Sequence, residues 1–152
     1  MVRFLTIKEF VEDISSVSDE QRLFTNPYRA EVRKYNLLNY LQHLESNKVD
    51  VMLIGEAPGY RGCALTGIPF TDEIQLKYPE NNYALGDWKR SSKIGNTAER
   101  SASIIWPAIR EYHIIPLMWN VFPFHPYKEG KRASNRTPTQ RELEEGLKYI
   151  DA

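Results

Sequence analysis

The sequence predicts an α/β fold with a parallel sheet held between helices. Three observations predict it. Val49-Asp50-Val51-Met52-Leu53-Ile54 is short, β-branched and nearly all apolar, as suits a strand buried on both faces of a parallel sheet. Ile114 to Val121 is a second such run. Segments with helical periodicity precede, separate and follow the two runs, and this alternation is the signature of α/β architecture.

Taken in order, Thr6 to Val17 reads as a short helix with Phe10, Val11 and Ile14 on one side. Pro27 opens a longer helix over about 28–44, whose apolar positions Val32, Tyr35, Leu38, Leu41 and Leu44 recur every three or four residues. The first strand follows. Gly55 to Thr71 is a glycine- and proline-rich loop, 72–78 a short helix, and 79–96 a polar loop. Thr97 is placed to cap a helix over 98–112, which Pro107 should kink or restart. After the second strand comes a long loop, Phe122 to Thr137. Thr137-Pro138-Thr139-Gln140 then reads as a helix start, with Thr137 at the N-cap, Pro138 at the first helical position and Gln140 closing a capping box. Leu143, Leu147 and Ile150 share a face of that helix. Two strands make a thin sheet, and a last helix ordinarily leads into another strand. The expectation is therefore a single domain over 1–152 whose sheet is either completed by unrecognised edge elements or truncated at the C-terminus.

Composition narrows the function. The chain has 152 residues, 20 basic and 20 acidic, and so no net charge with histidine neutral. That argues against nucleic-acid binding by bulk charge. The charge is uneven, with 8 basic and 11 acidic residues in 1–76 against 12 and 9 in 77–152. Lys89, Arg90, Lys93 and Arg100 form one basic cluster, and Lys128, Lys131, Arg132 and Arg136 another. They fit either solvated loops or local phosphate contacts, which need only a few placed cations. A single cysteine, Cys63, excludes an intrachain disulfide, a four-cysteine zinc site and a cysteine-held iron–sulfur cluster. No bound metal or other cofactor is expected. No apolar run approaches the ~20 residues that span a bilayer, and the start lacks a signal-like apolar block, so a cytoplasmic protein without membrane contact is expected.

Three motifs carry chemistry. Gly55-Glu56-Ala57-Pro58-Gly59 directly follows the first strand, and open α/β sheets bind ligands beyond the carboxyl ends of their strands. Glu56 puts a carboxylate there, and the glycines let backbone approach a ligand. A tight turn bearing an exposed glutamate is the plain alternative. Thr66-Gly67-Ile68-Pro69-Phe70 makes a rigid loop that offers Phe70 either as a stacking platform or as a core residue. The second strand ends in Trp119-Asn120-Val121-Phe122-Pro123-Phe124-His125-Pro126. An asparagine in an apolar strand is expensive unless satisfied, and its donor and acceptor can read the edge of a nucleobase, although it can also simply cap the strand. His125 is an acid, a cation near phosphate, or a loop histidine.

Together with Asn135-Arg136-Thr137-Pro138 and the following Glu142, these motifs resemble the uracil-DNA glycosylase superfamily over about 49–150. The likeness is greatest to the thermophile-type branch, whose first motif is also Gly-Glu-Ala/Gly-Pro-Gly. The N-terminal helices, about 6–46, carry none of the likeness. The resemblance implies a three-layer parallel-sheet fold and a DNA-repair enzyme that flips uracil or a related deaminated base and hydrolyses its N-glycosidic bond. It implies catalytic roles for Glu56, which would position water, and for Asn120, which would bind the pyrimidine edge and exclude cytosine. Gly55, Ala57, Gly59 and Phe70 would contact the base with Asn120. The loop carrying His125, Lys128, Lys131, Arg132 and Arg136 would lie near uracil-containing or otherwise damaged DNA.

The sequence departs from the pattern in three places. The branch's four cluster cysteines are reduced to Cys63. Ala57 stands where the classical branch has its catalytic aspartate. The His-Pro-Ser-like loop that the family places near its C-terminus has no match, since His125-Pro126 is followed by Tyr127 and arrives too early. These departures lead to the expectation of an incomplete family member with weak excision and some self-association. The alternative is a domain of the same fold that binds a nucleotide or nucleic acid without cleaving it.

Overall fold

The computed structural model describes residues 5–20, 23–93 and 97–152. The sequence reading of residues 1–4, and of 94–96 in the polar loop, lies outside them. Helices α1 (Ile7–Ser16), α2 (Glu31–Glu45), α3 (Cys63–Thr66), α4 (Glu73–Leu76), α5 (Asn82–Leu85), α6 (Arg100–Tyr112) and α7 (Gln140–Gly146) alternate with strands β1 (Phe24–Thr25), β2 (Val51–Gly55), β3 (Pro116–Asn120) and β4 (His125–Pro126).

The two expected strands pair in parallel, from Val51 opposite Pro116 to Gly55 opposite Asn120. Asp50 staples the start of the pair: its N–H donates to the Ile115 carbonyl (2.9 Å) and its carboxylate accepts the Ile115 N–H (2.8 Å). The pair divides the core. On one face Met118 packs with Tyr40, Ile68, Leu76, Leu85, Trp106 and Ile109. On the other, Trp119 packs with Val11, Ile14, Tyr28, Leu37, Phe122 and Phe124. Helices on both faces of a parallel sheet make the α/β architecture read from the alternation.

β2 is not buried on both faces, contrary to the sequence reading. Val51, Met52 and Ile54 are 37%, 45% and 44% exposed. The reason is topological: among the described residues β2 pairs only with β3, which leaves its other edge open. β3 is buried because α2 covers its far edge. The Tyr40 hydroxyl donates to the Pro116 carbonyl (2.6 Å) and accepts the Met118 N–H (2.8 Å).

That contact also rotates α2 from the expected face. Its buried residues are Asn36, Leu37, Tyr40 and Leu44 rather than the apolar series from Val32 to Leu44. Asn36 is drawn inside because its amide donates to the Thr66 and Lys89 carbonyls and accepts the Lys89 N–H. A satisfied polar group tolerates burial that an unpaired one would not. The helix begins at Glu31, after a 3₁₀ turn over Pro27–Arg29.

Two helix starts also shift. The last helix is capped by Thr139, not Thr137, and Glu142 rather than Gln140 closes the box. Both threonines suit a cap, but the later one puts a carboxylate at the third position, where it also receives the Arg136 guanidinium through two 2.8 Å bonds. α6 starts at Arg100 with Glu99 at its N-cap, and Thr97 is buried ahead of it. Here the donor is satisfied from outside, by Asp72 Oδ2 accepting the Glu99 N–H (2.8 Å). The helix runs unbroken through Pro107. A strand pair absent from the sequence reading, β1 with β4, joins the N-terminal segment to the long loop after β3.

Candidate active site

The site lies beyond the carboxyl ends of β2 and β3. Past Gly55 and Asn120 the ladder continues, with the Val121 N–H donating to the Gly55 carbonyl (2.9 Å) and the Phe122 N–H to the Glu56 carbonyl (3.0 Å). The Gly55–Gly59 turn is therefore fixed against the end of β3.

Gly55, Phe70 and Asn120 converge. A Cβ on Gly55 would stand 2.4 Å from Asn120 Oδ1 and 2.8 Å from Phe70 Cζ. The ring and the amide thus share the space that glycine leaves. They line a cavity of about 180 Å³ with Glu56, Gly59, Glu99 and Ser101. Asn120 is 4% exposed, and its Nδ2 is buried with no hydrogen-bond partner among the described residues. An orphaned buried amide donor normally costs about 1–3 kcal/mol, so it marks a place where a ligand acceptor would be welcome.

Phe70 is held in a left-handed backbone conformation, φ 54°. That is unfavourable for a bulky side chain and requires support from its surroundings. The support is visible. The Trp106 indole donates to the Phe70 carbonyl (3.2 Å), and the buried Thr66 hydroxyl donates to the Thr71 carbonyl (2.8 Å) and accepts the Ile68 N–H (3.1 Å). Asp72, two residues on, receives the Glu99 N–H, which ties the Phe70 loop to the start of α6.

A second, outer cavity of about 320 Å³ opens beside the first, lined by Glu56, Pro58, Glu99, Asn135, Arg136 and Pro138 among others. Glu56, Ala57, Gly59 and Glu99 line both. Glu56 is exposed at this junction. The Glu99 carboxyl packs on Gly59, which ends the turn, and on Gly62 beyond it: a Cβ would meet it at 2.0 Å on Gly59 and 1.9 Å on Gly62. Burial pushes its pKa up, the nearby Asp72 charge adds to that, and a bond from Ser101 opposes it. Glu99 was not singled out from the sequence. It stands outside every motif, in the first turn of the helix read over 98–112.

The basic loop divides. Lys128, Lys131 and Arg132 are exposed on a tight turn. His125 is buried, with Nδ1 2.7 Å from the Pro58 carbonyl and Nε2 3.2 Å from the Arg132 carbonyl. It is an internal strut between the first motif and the loop. Arg136 also serves as a strut, bonded to Glu142 and to the Leu23, Tyr127 and Thr137 carbonyls, while it lines the outer cavity. Burial pushes the Glu142 carboxyl up, but bonds from Arg136 and Thr139 outweigh it and leave it lowered. Cys63 borders the inner cavity, but burial raises its thiol far above the ordinary range, which suits packing rather than nucleophilic attack. Among the described residues no group of three or more His, Cys, Asp or Glu side chains is placed to hold a metal ion.

A family description, the uracil DNA glycosylase superfamily, matches residues 42–152. The chain belongs to the uracil DNA glycosylase superfamily. The match takes in β2, β3 and every residue of both cavities of this superfamily member. It starts inside α2, so α1 and the first part of α2 precede it. No curated protein matches the sequence. No helix among the described residues is long and apolar enough to cross a membrane.

Proposed function

We propose that this superfamily member is a cytoplasmic DNA glycosylase that excises uracil or a related deaminated base. The observation that carries the reading is the orphaned Nδ2 of Asn120 beside the Phe70 ring in a cavity of base-like size. Such a base must leave the helical stack to be reached. Phe70 supplies a flat apolar face for it. The Asn120 amide donates through Nδ2 to a base carbonyl and accepts a ring N–H at Oδ1. Uracil presents that pair, whereas cytosine presents an amine and an unprotonated ring nitrogen. A buried site built for one pattern leaves its groups unpaired with the other, which is the strongest route to discrimination.

With the base in the inner cavity and the sugar in the outer one, the glycosidic bond lies at their junction, where Glu56 stands. Breaking the bond sends its electron pair to the departing base and leaves positive charge on the sugar. The Glu56 carboxylate orients water toward that sugar carbon, accepts the water's proton and favours the developing cation. Fixed donors aimed at the base anion are the larger catalytic contribution in such sites. Asn120 is the one assigned here. The exposed cations of the 128–132 turn then meet DNA phosphates.

The test is base release from single-stranded uracil DNA under single-turnover conditions, a substrate that needs no unpairing. Slow release, lost in Glu56→Gln and Asn120→Ala, supports the reading. Uracil-selective binding without release by any form would make the chain a binding domain, and neither binding nor release would sink the proposal.

A further inference from the structure

Consecutive residues of one short helix border two different cavities. Cys63 lines the base cavity, and Ala64 lines a basin of about 540 Å³ that the motifs do not account for. The basin is walled by Arg29, Arg33 and Arg132, with Asp19 and Asn26 between them. Among the described residues, three guanidinium groups against one carboxylate leave a surplus of two positive charges. The chain as a whole is neutral, so this is a local feature.

The arginines are held differently. Arg29 lies 3.7 Å from Asp19 at the surface, and Asp19 also accepts the Asn26 N–H (2.8 Å). Arg33 is the fixed member, its Nη1 donating to the Ala64 carbonyl (2.6 Å). Its Nε is buried and has no hydrogen-bond partner among the described residues. Burial pulls the guanidinium's pKa down, while Cys63, Asp19 and Glu73 pull the other way. Arg132 reaches the basin from the basic turn, where His125 holds its carbonyl. A half-buried guanidinium fixed by the Ala64 carbonyl, flanked by two exposed guanidinium groups, is matched by a compact oxyanion. Phosphate suits it best, because the planar fork pairs with phosphate oxygens in a two-point contact.

We propose that this basin binds a backbone phosphate of the DNA strand whose base enters the cavity beside Phe70 and Asn120. This rests on the glycosylase reading. Continuity of the loop argues for a strand rather than a free anion. Arg132 lines the basin, and Asn135 and Arg136, three and four residues on, line the outer cavity assigned to the sugar. A strand crossing the outer cavity runs along that loop to the basin. The Arg29, Arg33 and Arg132 groups fix its register and carry no base preference. The contact lets a chain without net charge hold a polyanion at one defined place.

The experiment measures binding of single-stranded oligonucleotides, with uracil or thymine at one position, as a function of salt. Wild type is compared with Arg29→Gln and Arg132→Gln. Arg33 is left intact because it also supports Ala64. Each substitution should lower the slope of log affinity against log salt by about 0.7 for one lost phosphate contact on a single strand. Each should weaken uracil and thymine strands by the same factor and leave Tm unchanged. Phe70→Ala should do the reverse, reducing the uracil preference without changing the slope. Unchanged slopes in both Arg variants, with wild-type binding intact, overturn the basin and leave the glycosylase reading standing. A change in Arg132→Gln alone shows that only the turn meets DNA and also overturns it. Competition by inorganic phosphate that is lost in Arg29→Gln, with no change in strand slope, replaces the strand by a free anion. Failure of wild type to bind either strand overturns both readings.

Discussion

The Asn120 amide occupies the space that Gly55, its partner across the parallel pair, leaves by having no side chain. The register that pairs the two strands therefore also sets the depth of the inner cavity. Gly55→Ala should close the cavity, because its Cβ would stand 2.4 Å from Asn120 Oδ1 and 2.8 Å from Phe70 Cζ. Overpacking of this kind costs about 1–3 kcal/mol. We expect a folded protein with a modestly lowered Tm and at least about tenfold weaker binding of uracil-containing strands. Unaltered uracil binding would show that the base sits elsewhere.

Asn120→Asp should change base choice more than DNA affinity. The substitution keeps the shape, removes the amide donor and presents an acceptor where Nδ2 stands. Uracil's carbonyl then meets another acceptor, while cytosine's amine finds a partner. The uracil-to-cytosine preference should fall by about 10²-fold or more, within the range that such polar reading supplies. Competition between matched oligonucleotides measures it. An equal loss for every base would assign Asn120 a structural role.

Glu99 should make stability depend on pH. Its folded-state pKa is raised above the ordinary 4.5, by burial first and by the Asp72 charge second. Between the unfolded and folded values the folded protein holds more protons. Stability is then fullest below the unfolded value and declines as pH rises through the folded one. Glu99→Gln should remove that decline. Relative to wild type we expect its Tm to be higher by about 2–4 °C at pH 7 and no higher near pH 4. Parallel Tm curves across that interval would mean that the carboxyl titrates as an ordinary one.

Met52→Lys should suppress self-association. Met52 is 45% exposed beside an apolar cleft lined by Phe10, Leu41, Leu117, Trp119 and Ile150. Among the described residues the adjacent β2 edge has no strand partner, and such an edge is a recognised template for strand pairing. We expect the wild-type sedimentation coefficient to rise with concentration and the variant's to stay flat. A lysine facing that cleft keeps its charge in water and opposes stacking of a second sheet.

The convergence of Glu56, Phe70 and Asn120 on one cavity was more legible than its surroundings. Glu56, Phe70 and Asn120 stand in motifs tied to strand ends, and strand ends are where an α/β sheet gathers its ligand contacts. Glu99 was not legible, because a three-dimensional contact with Gly59 and Gly62, about forty residues earlier in the chain, leaves no periodic trace. Asn36 and Tyr40 escaped for a related reason. Helical periodicity ranks positions by apolarity, and these two are buried because they satisfy backbone groups of β3 and of the Lys89 segment. The pairing of β1 with β4 joins two residues with two, too few to show alternation. The exposure of β2 was hidden because an apolar run states what a strand can tolerate, not which neighbours it has.

Each rung of the β2–β3 ladder joins residues sixty-five positions apart, from Val51 with Pro116 to Gly55 with Asn120. The inner cavity does not exist until that long loop closes, since Gly55 and Asn120 meet only there. Closing such a loop loses chain entropy before any contact rewards it, and topologies of this kind fold slowly. The Phe70 segment and the start of α6 both lie inside the loop, so they settle against a frame that forms late. During synthesis the nascent chain must therefore emerge beyond Asn120 before the site can assemble. Until then Phe70, Trp106 and Trp119 are available to chaperones.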